Sequence, residues 1–233
     1  MNSKIIHLSC HAFVTAVFIC LGSQAAHAQT TESTPMVRLI CAGGLGEAQE
    51  VVLATKSENA GWKEVAKTEL RDPMVSNWLP SQYGEIHLLR QKNGKAESFG
   101  HFTHAEGIRR AVVILTANEE AKICRAVVLD PEKLGFKEGT TVIINASKMT
   151  GTATLGTETV TVEAGKNLLA KPAPDETGGY RVMVESPGAQ GTKQVCYDRY
   201  TTGIPNARNI IVLLPDPNVT LRVTSLSEYG PFE

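Results

Sequence analysis

The chain has no apolar run of the roughly 20 residues that a bilayer span requires. The run that comes nearest, residues 12–21, holds ten residues and ends at Leu21. No basic stripe is present, and the formal net charge of the 233 residues is −1, which argues against nucleic acid or an anionic membrane as partner. No histidine follows His104, so the second half lacks the side chain most often used for acid–base work near neutral pH. There is no Gly-x-Ser-x-Gly, and the glycines of Ala42-Gly43-Gly44-Leu45-Gly46 are not followed by the Lys-Ser/Thr of a phosphate loop. Cysteine is also sparse. Beyond residue 28 there are Cys41, Cys124 and Cys196, an odd set that allows at most one internal bridge and is no disulfide scaffold.

What the chain does have begins at its N-terminus. Lys4 is the only formal charge before Glu32, and it precedes the apolar run 12–21. Gly22, Ser23 and Gln24 break that run, and Ala26-His27-Ala28 sets small residues at −3 and −1 of a cleavage point. This order predicts a cleavable secretory signal over residues 1–28, with Gln29 as the mature N-terminus, in the periplasm or outside the cell. A lipid anchor on Cys20 is disfavoured, because Phe18 and Ile19 are bulky where a lipobox takes small residues. Removal of the signal leaves 205 residues with 22 basic and 24 acidic side chains, expected to be soluble and not membrane-spanning. Residues 29–35 are polar, without apolar period, and read as a flexible lead-in.

Past residue 35 the apolar stretches are short, rich in Val, Ile, Leu and Thr, and separated by Gly, Pro, Asn and Asp. That punctuation predicts strands over 37–41, 50–55, 85–91, 111–116, 123–129, 140–145, 158–163, 179–185, 194–200, 209–214 and 219–226. Residues 111–115 and 210–214 are apolar without interruption, which implies burial on both faces, or a central strand covered on one side by loops. Residues 60–70 are ambiguous: Trp62, Val65, Ala66 and Leu70 fit a helical face about as well as a strand, and strand is the reading adopted.

The second half echoes the first. Arg110-Ala-Val-Val-Ile-Leu115 matches Arg208-Asn-Ile-Ile-Val-Leu213, and Arg125–Leu129 matches Arg222–Leu226. Tyr83–Leu88 resembles Gly179–Val184, Leu39–Ala42 agrees with Ile143–Ala146, and Gly135-Phe136 corresponds to Gly230-Pro231-Phe232. Equivalents lie about 95 to 105 residues apart, long enough for each copy to be a domain. Each copy then carries about six or seven short strands, the size of an immunoglobulin-like sandwich. The expected fold is therefore all-β: two tandem immunoglobulin-like β-sandwich domains, residues 36–135 and 136–233, after the signal peptide.

The segments Gly139-Thr-Thr-Val-Ile-Ile-Asn-Ala-Ser147, Gly178-Gly-Tyr-Arg-Val182 and Asn209-Ile-Ile-Val-Leu-Leu-Pro-Asp216 carry a resemblance. They resemble uncharacterised exported bacterial proteins with tandem β-sandwich domains, mainly over the second half. The resemblance implies a fold and an exported location; it transfers no catalytic residue.

Candidate chemistry is thin. His101 and His104 are the candidate metal ligands, with His87 the other histidine left after export. Two imidazoles three residues apart share a metal only if the backbone turns between them, and no spacing supplies the further ligands of a zinc or blue-copper site. Their counterparts in the second copy are Arg199 and Thr202. Cys196 beside Tyr197-Asp198 reads as a half-buried strand thiol, and Ser186-Pro187-Gly188 as a turn. Asp72-Pro73, Asp130-Pro131 and Asp216-Pro217 could supply paired carboxylates for glycoside hydrolysis, but Asp-Pro is also a turn opener, the stronger reading. Asn145-Ala146-Ser147 and Asn218-Val219-Thr220 match glycosylation acceptors and are read as a strand end and a turn. Trp62, Trp78, Tyr83, Tyr197 and Tyr200 could form a sugar-stacking platform or pack as core. If any bridge exists, Cys41–Cys124 is the pair, both lying on strands of the first copy. The resulting expectation is a non-catalytic exported protein, without catalytic residues or cofactor, that binds or scaffolds an envelope protein or glycan. The alternatives are an envelope hydrolase or metal-binding protein using His101 and His104, and a carbohydrate-binding module.

Overall fold

The computed structural model describes residues 34–58, 61–118, 123–188, 191–202, 207–216 and 220–229. The expected signal peptide, nearly all of the lead-in, Gly230-Pro231-Phe232, Pro217 and Asn218-Val219 lie outside the described residues. In the first half the strands are β1 (Met36–Gly43), β2 (Gln49–Lys56), β3 (Trp62–Leu70), β4 (Met74–Pro80), β5 (Gly84–Lys92), β6 (Lys95–His104), β7 (Arg110–Asn118) and β8 (Ile123–Leu129). One short helix, α1 (Pro131–Leu134), follows. The second half holds β9 (Thr141–Asn145), β10 (Gly151–Leu155), β11 (Glu158–Val162), β12 (Asn167–Ala170), β13 (Gly179–Pro187), β14 (Lys193–Thr202), β15 (Ala207–Pro215) and β16 (Leu221–Tyr229).

These strands form four four-stranded sheets: β3-β2-β5-β6 and β4-β1-β7-β8 from the first half, β12-β9-β15-β16 and β11-β10-β13-β14 from the second. The fold is all-β, two β-sandwiches in tandem, immunoglobulin-like in architecture as the strand punctuation predicted. Among the described residues each sandwich has eight strands rather than six or seven. The additional ones, β4, β6, β10 and β12, carry weak strand signals: β4 contains Ser76, Asn77 and Pro80, β10 reads Gly-Thr-Ala-Thr-Leu, and β12 is four residues long. Residues 62–70 are strand, not helix, and Lys63, Glu64, Lys67 and Glu69 make β3 a charged sheet edge that resists edge-to-edge association.

The repeat extends to the register. Leu39 pairs with Val113 across the parallel β1–β7 ladder, and Ile143 with Ile211 across the parallel β9–β15 ladder. Val112 faces Leu129 as Ile210 faces Leu226, and Gly84 faces His104 as Gly179 faces Thr202. Three of the five sequence matches are thus equivalent rungs of equivalent ladders; the fourth, Tyr83–Leu88 with Gly179–Val184, is one residue out of step, since it sets Gly84 against Tyr180 where the ladders set Gly84 beside Gly179, and the fifth includes residues outside those described.

Side-chain alternation explains the uninterrupted apolar strands. Ala111, Val113 and Leu115 of β7 enter the core of the first sandwich, with Val37, Leu39, Leu53, Ile86 and Phe102. Val112 and Ile114 point the other way, into a second apolar layer with Ile40, Val142, Ile144, Ile210, Val212 and Leu214. Ile211 and Leu213 of β15 enter a third, with Ile143, Leu155, Val182 and Val184. The middle layer lies between the two inner sheets, so β7 and β15 are buried on both faces by sheets rather than loops.

A buried ion cluster sits beside that middle layer. The Glu228 carboxylate of β16, 1% exposed, accepts from the Arg38 guanidinium of β1 and from Arg208 Nε of β15 at 3.3 Å. Arg38 also lies over the Trp78 ring, 4.5 Å from its centroid. Charges at this depth persist only when paired, and here the pairing ties the first half to the second.

Candidate functional site

The sequence candidates do not converge. In a strand, residues three apart face opposite sides, so β6 turns His101 to solvent and His104 inward. His104 is fully buried; its Nε2 donates to the Ile108 carbonyl at 2.7 Å and its Nδ1 accepts from Ser81 Oγ at 2.9 Å. With both ring nitrogens engaged it is a packed neutral imidazole, and burial holds its pKa below the ordinary histidine value. His101 instead faces His87 across the β5–β6 ladder, with ring centroids 5.7 Å apart. His87 Nε2 is 2.6 Å from Glu85 Oε1, which holds the Glu85 carboxyl below its usual range. Among the described residues, no group of three His, Cys, Asp or Glu side chains is placed to hold a metal ion.

The thiols are equally placed for structure. Cys41, Cys124 and Cys196 are free. Cys41 Sγ donates to Asp72 Oδ1, and burial together with that carboxylate pushes the Cys41 pKa far up. Burial pushes Cys124 up to about 12, so neither is a nucleophile near neutral pH. Cys196 lies 3.2 Å from Ser186 Oγ, with Thr220 beside both and no imidazole in the half.

Two of the three Asp-Pro steps have structural roles, and the third, Asp216-Pro217, includes a residue outside those described. Asp72, whose bond to Pro73 is cis, also accepts from the Leu45 amide at 2.8 Å, and Asp130 caps α1 by accepting from the Lys133 amide at 3.0 Å. The aromatics share no platform: Trp78 packs on the middle apolar layer, Tyr197 on the core of the second sandwich, and Trp62 and Tyr200 lie on β3 and β14 of different halves.

What the fold does assemble is a cleft between the two sandwiches, about 450 Å³ in volume. Its first wall is the β6–β8 corner, with Gly100, His101, Cys124 and Arg125; its second is the end of β9 and the turn into β12, with Asn145, Gly165, Lys166 and Asn167. Gly100 is required there, because a Cβ would stand 2.6 Å from the Cys124 carbonyl oxygen. That approach lets β6 lie against β8 and brings His101 and Arg125 to one side of the cleft. The opposite turn is fastened by Asn145. Its backbone amide donates to the Lys166 carbonyl and its own carbonyl accepts from the Gly165 amide, both at 2.9 Å. Its side-chain amide donates to the carbonyls of Met149 at 2.7 Å and Val162 at 2.9 Å, while its Oδ1 accepts from the Ser147 amide. Buried and engaged, Asn145 is a strand-end anchor, as its place in Asn-Ala-Ser suggested.

Of these residues sequence reasoning found only His101 as a candidate. Arg125 is there only a repeat match, and no spacing relates Lys166 or Asn167 to His101 and Arg125 far earlier in the chain; the juxtaposition comes from the packing of one sandwich on the other. No helix among the described residues is long and apolar enough to cross a membrane. No protein-family model matches the chain, and no curated protein matches it.

Proposed function

We propose that this is an exported, non-catalytic binding protein of the bacterial envelope that holds its ligand in the cleft between the two sandwiches. The observation that carries the reading is the cleft itself. Its volume of about 450 Å³ falls within the range of small-molecule sites, roughly 300–1,000 Å³. Among the described residues, the side chains of His101, Arg125, Lys166 and Asn167 make no hydrogen bond within the chain, while the backbone beneath them is fixed by Gly100 and Asn145. Binding rather than turnover is supported by the buried thiols of Cys41 and Cys124, raised above the neutral range, and by a His104 whose two nitrogens are occupied. Export is supported by Ala26-His27-Ala28, and intact mass of protein from a secreting host should begin at Gln29. An envelope glycan, or a segment of an envelope protein, is the natural source of a ligand in that compartment.

The test is a thermal-shift screen against sugars, sugar acids and envelope glycan fragments, run on the full mature chain and on Asn167→Trp. The indole fills the cleft mouth from the exposed first residue of β12. A ligand that stabilises the first and not the second supports the reading; ligands that stabilise both equally, or release of product from any of them, overturn it.

A further inference from the structure

Resting on the reading of the cleft as a binding site, we infer that its ligand is a small molecule carrying an oxyanion, a carboxylate or a phosphate. Three cationic or proton-donating side chains, His101, Arg125 and Lys166, line the cleft, and among the described residues no Asp or Glu does. That imbalance stands out in a protein whose acidic residues slightly outnumber its basic ones. Four exposed cations elsewhere on the two sandwiches are paired with carboxylates: Arg181 with Asp198, Lys193 with Glu185, Lys92 with Glu97 and Lys67 with Glu50. Among the described residues, neither Arg125 nor Lys166 has such a partner. The carboxylate that acts on His101, Glu85, is engaged by His87.

The two walls supply complementary donors. Arg125 offers a planar guanidinium suited to grip two oxygens of one group, and Lys166 offers a point charge from the opposite side. The Asn167 amide adds a neutral donor and acceptor beside Lys166 at the start of β12, able to meet a hydroxyl next to the anion. Because Arg125 belongs to the first sandwich and Lys166 to the second, the anion is held only when both halves are packed together. A uronic acid or a sugar phosphate combines the charge, the hydroxyls and the size.

Isothermal titration of the full mature chain with D-glucuronate, glucose 6-phosphate, inorganic phosphate and neutral D-glucose tests this. The expected result is that an anionic probe binds while glucose does not, and that affinity falls as salt rises. Loss of one charge-assisted hydrogen bond weakens binding by roughly ten- to a hundred-fold, so Arg125→Gln and Lys166→Gln should each do so. Both side chains are exposed, so the melting temperature without probe should not move. Binding of glucuronate but not the phosphates assigns a carboxylate, and the converse assigns a phosphate. Glucose binding as tightly as glucuronate, anion binding untouched by both substitutions, or no probe binding at millimolar concentration overturns the inference. A neutral ligand from the screen that is lost in Asn167→Trp would leave the cleft reading standing while the oxyanion fails.

Discussion

Substitution of Glu228 by Gln should be among the most damaging single changes in the chain. Glu228 is buried between two guanidiniums, Arg38 from the first half and Arg208 from the second. The substitution keeps volume and removes the charge, so both guanidiniums lose the carboxylate they share at depth. Breaking a buried pair in this way costs about 3–5 kcal/mol, a large part of the roughly 5–15 kcal/mol that holds a domain folded. With a urea dependence of about 2 kcal/mol per molar, the midpoint should fall by roughly 2 M. Replacing the whole cluster, Arg38→Met with Glu228→Leu and Arg208→Met, should cost far less than Glu228→Gln, because the desolvation of three charges disappears together with their attraction. The assay is equilibrium urea unfolding of wild type, Glu228→Gln and the triple variant, followed by tryptophan fluorescence and far-ultraviolet circular dichroism. Trp78 sits under Arg38, so its emission reports on the junction. A loss below about 1 kcal/mol in Glu228→Gln, the size of an exposed ion pair, would refute the reasoning.

Three other outcomes follow from the same structure. Ile114→Ala and Val212→Ala each remove a buried side chain from the middle layer and should each cost about 2–4 kcal/mol by urea unfolding, with the pair non-additive because both line one cluster. His104 has a folded-state pKa below its unfolded value, so the unfolded chain binds more protons as pH falls; stability should be full above about pH 6.5 and decline below it, by at most ~1.4 kcal/mol per pH unit, and melting curves of His104→Asn should lose that decline. Native protein should react with a thiol reagent at Cys196 first, with Cys41 and Cys124 modified only on unfolding; rapid modification of Cys124 in native protein would contradict its burial and its pKa of about 12.

The fold was largely legible in the sequence because its signals are local. Alternation, turn residues and uninterrupted runs such as Ile210–Leu214 report directly on which faces are covered, and the matched order of segments foretold equivalent ladders. The weaker strands escaped because Ser76, Asn77, Pro80 and the small residues of β10 carry little strand propensity; neighbours impose their pairing. The site escaped for a different reason. His101 and His104 are adjacent in the chain but belong to opposite faces, whereas His101, Arg125 and Lys166 are scattered in the chain and adjacent in the cleft. Sequence proximity misled in the first case and had nothing to offer in the second.

The two inner sheets that meet in the middle layer are the same sheet of each copy, β4-β1-β7-β8 against β12-β9-β15-β16, and equivalent residues meet there: Ile40 with Ile144 as its counterpart, Val112 with Ile210, Ile114 with Val212. The chain is in effect a homodimer with an isologous interface whose subunits are joined end to end. A short tether holds such partners at millimolar effective concentration, so the interface need not be strong enough to form between separate molecules. Freed from the need to be identical, the two faces could diverge, and they have: Arg38 of the first half stands where the second has Val142, and Glu228 of the second has no carboxylate counterpart in the first. A symmetric pair would bury such charges twice or not at all. The tethered pair buries them once, so its axis is broken at the junction and each sandwich is committed to its own place.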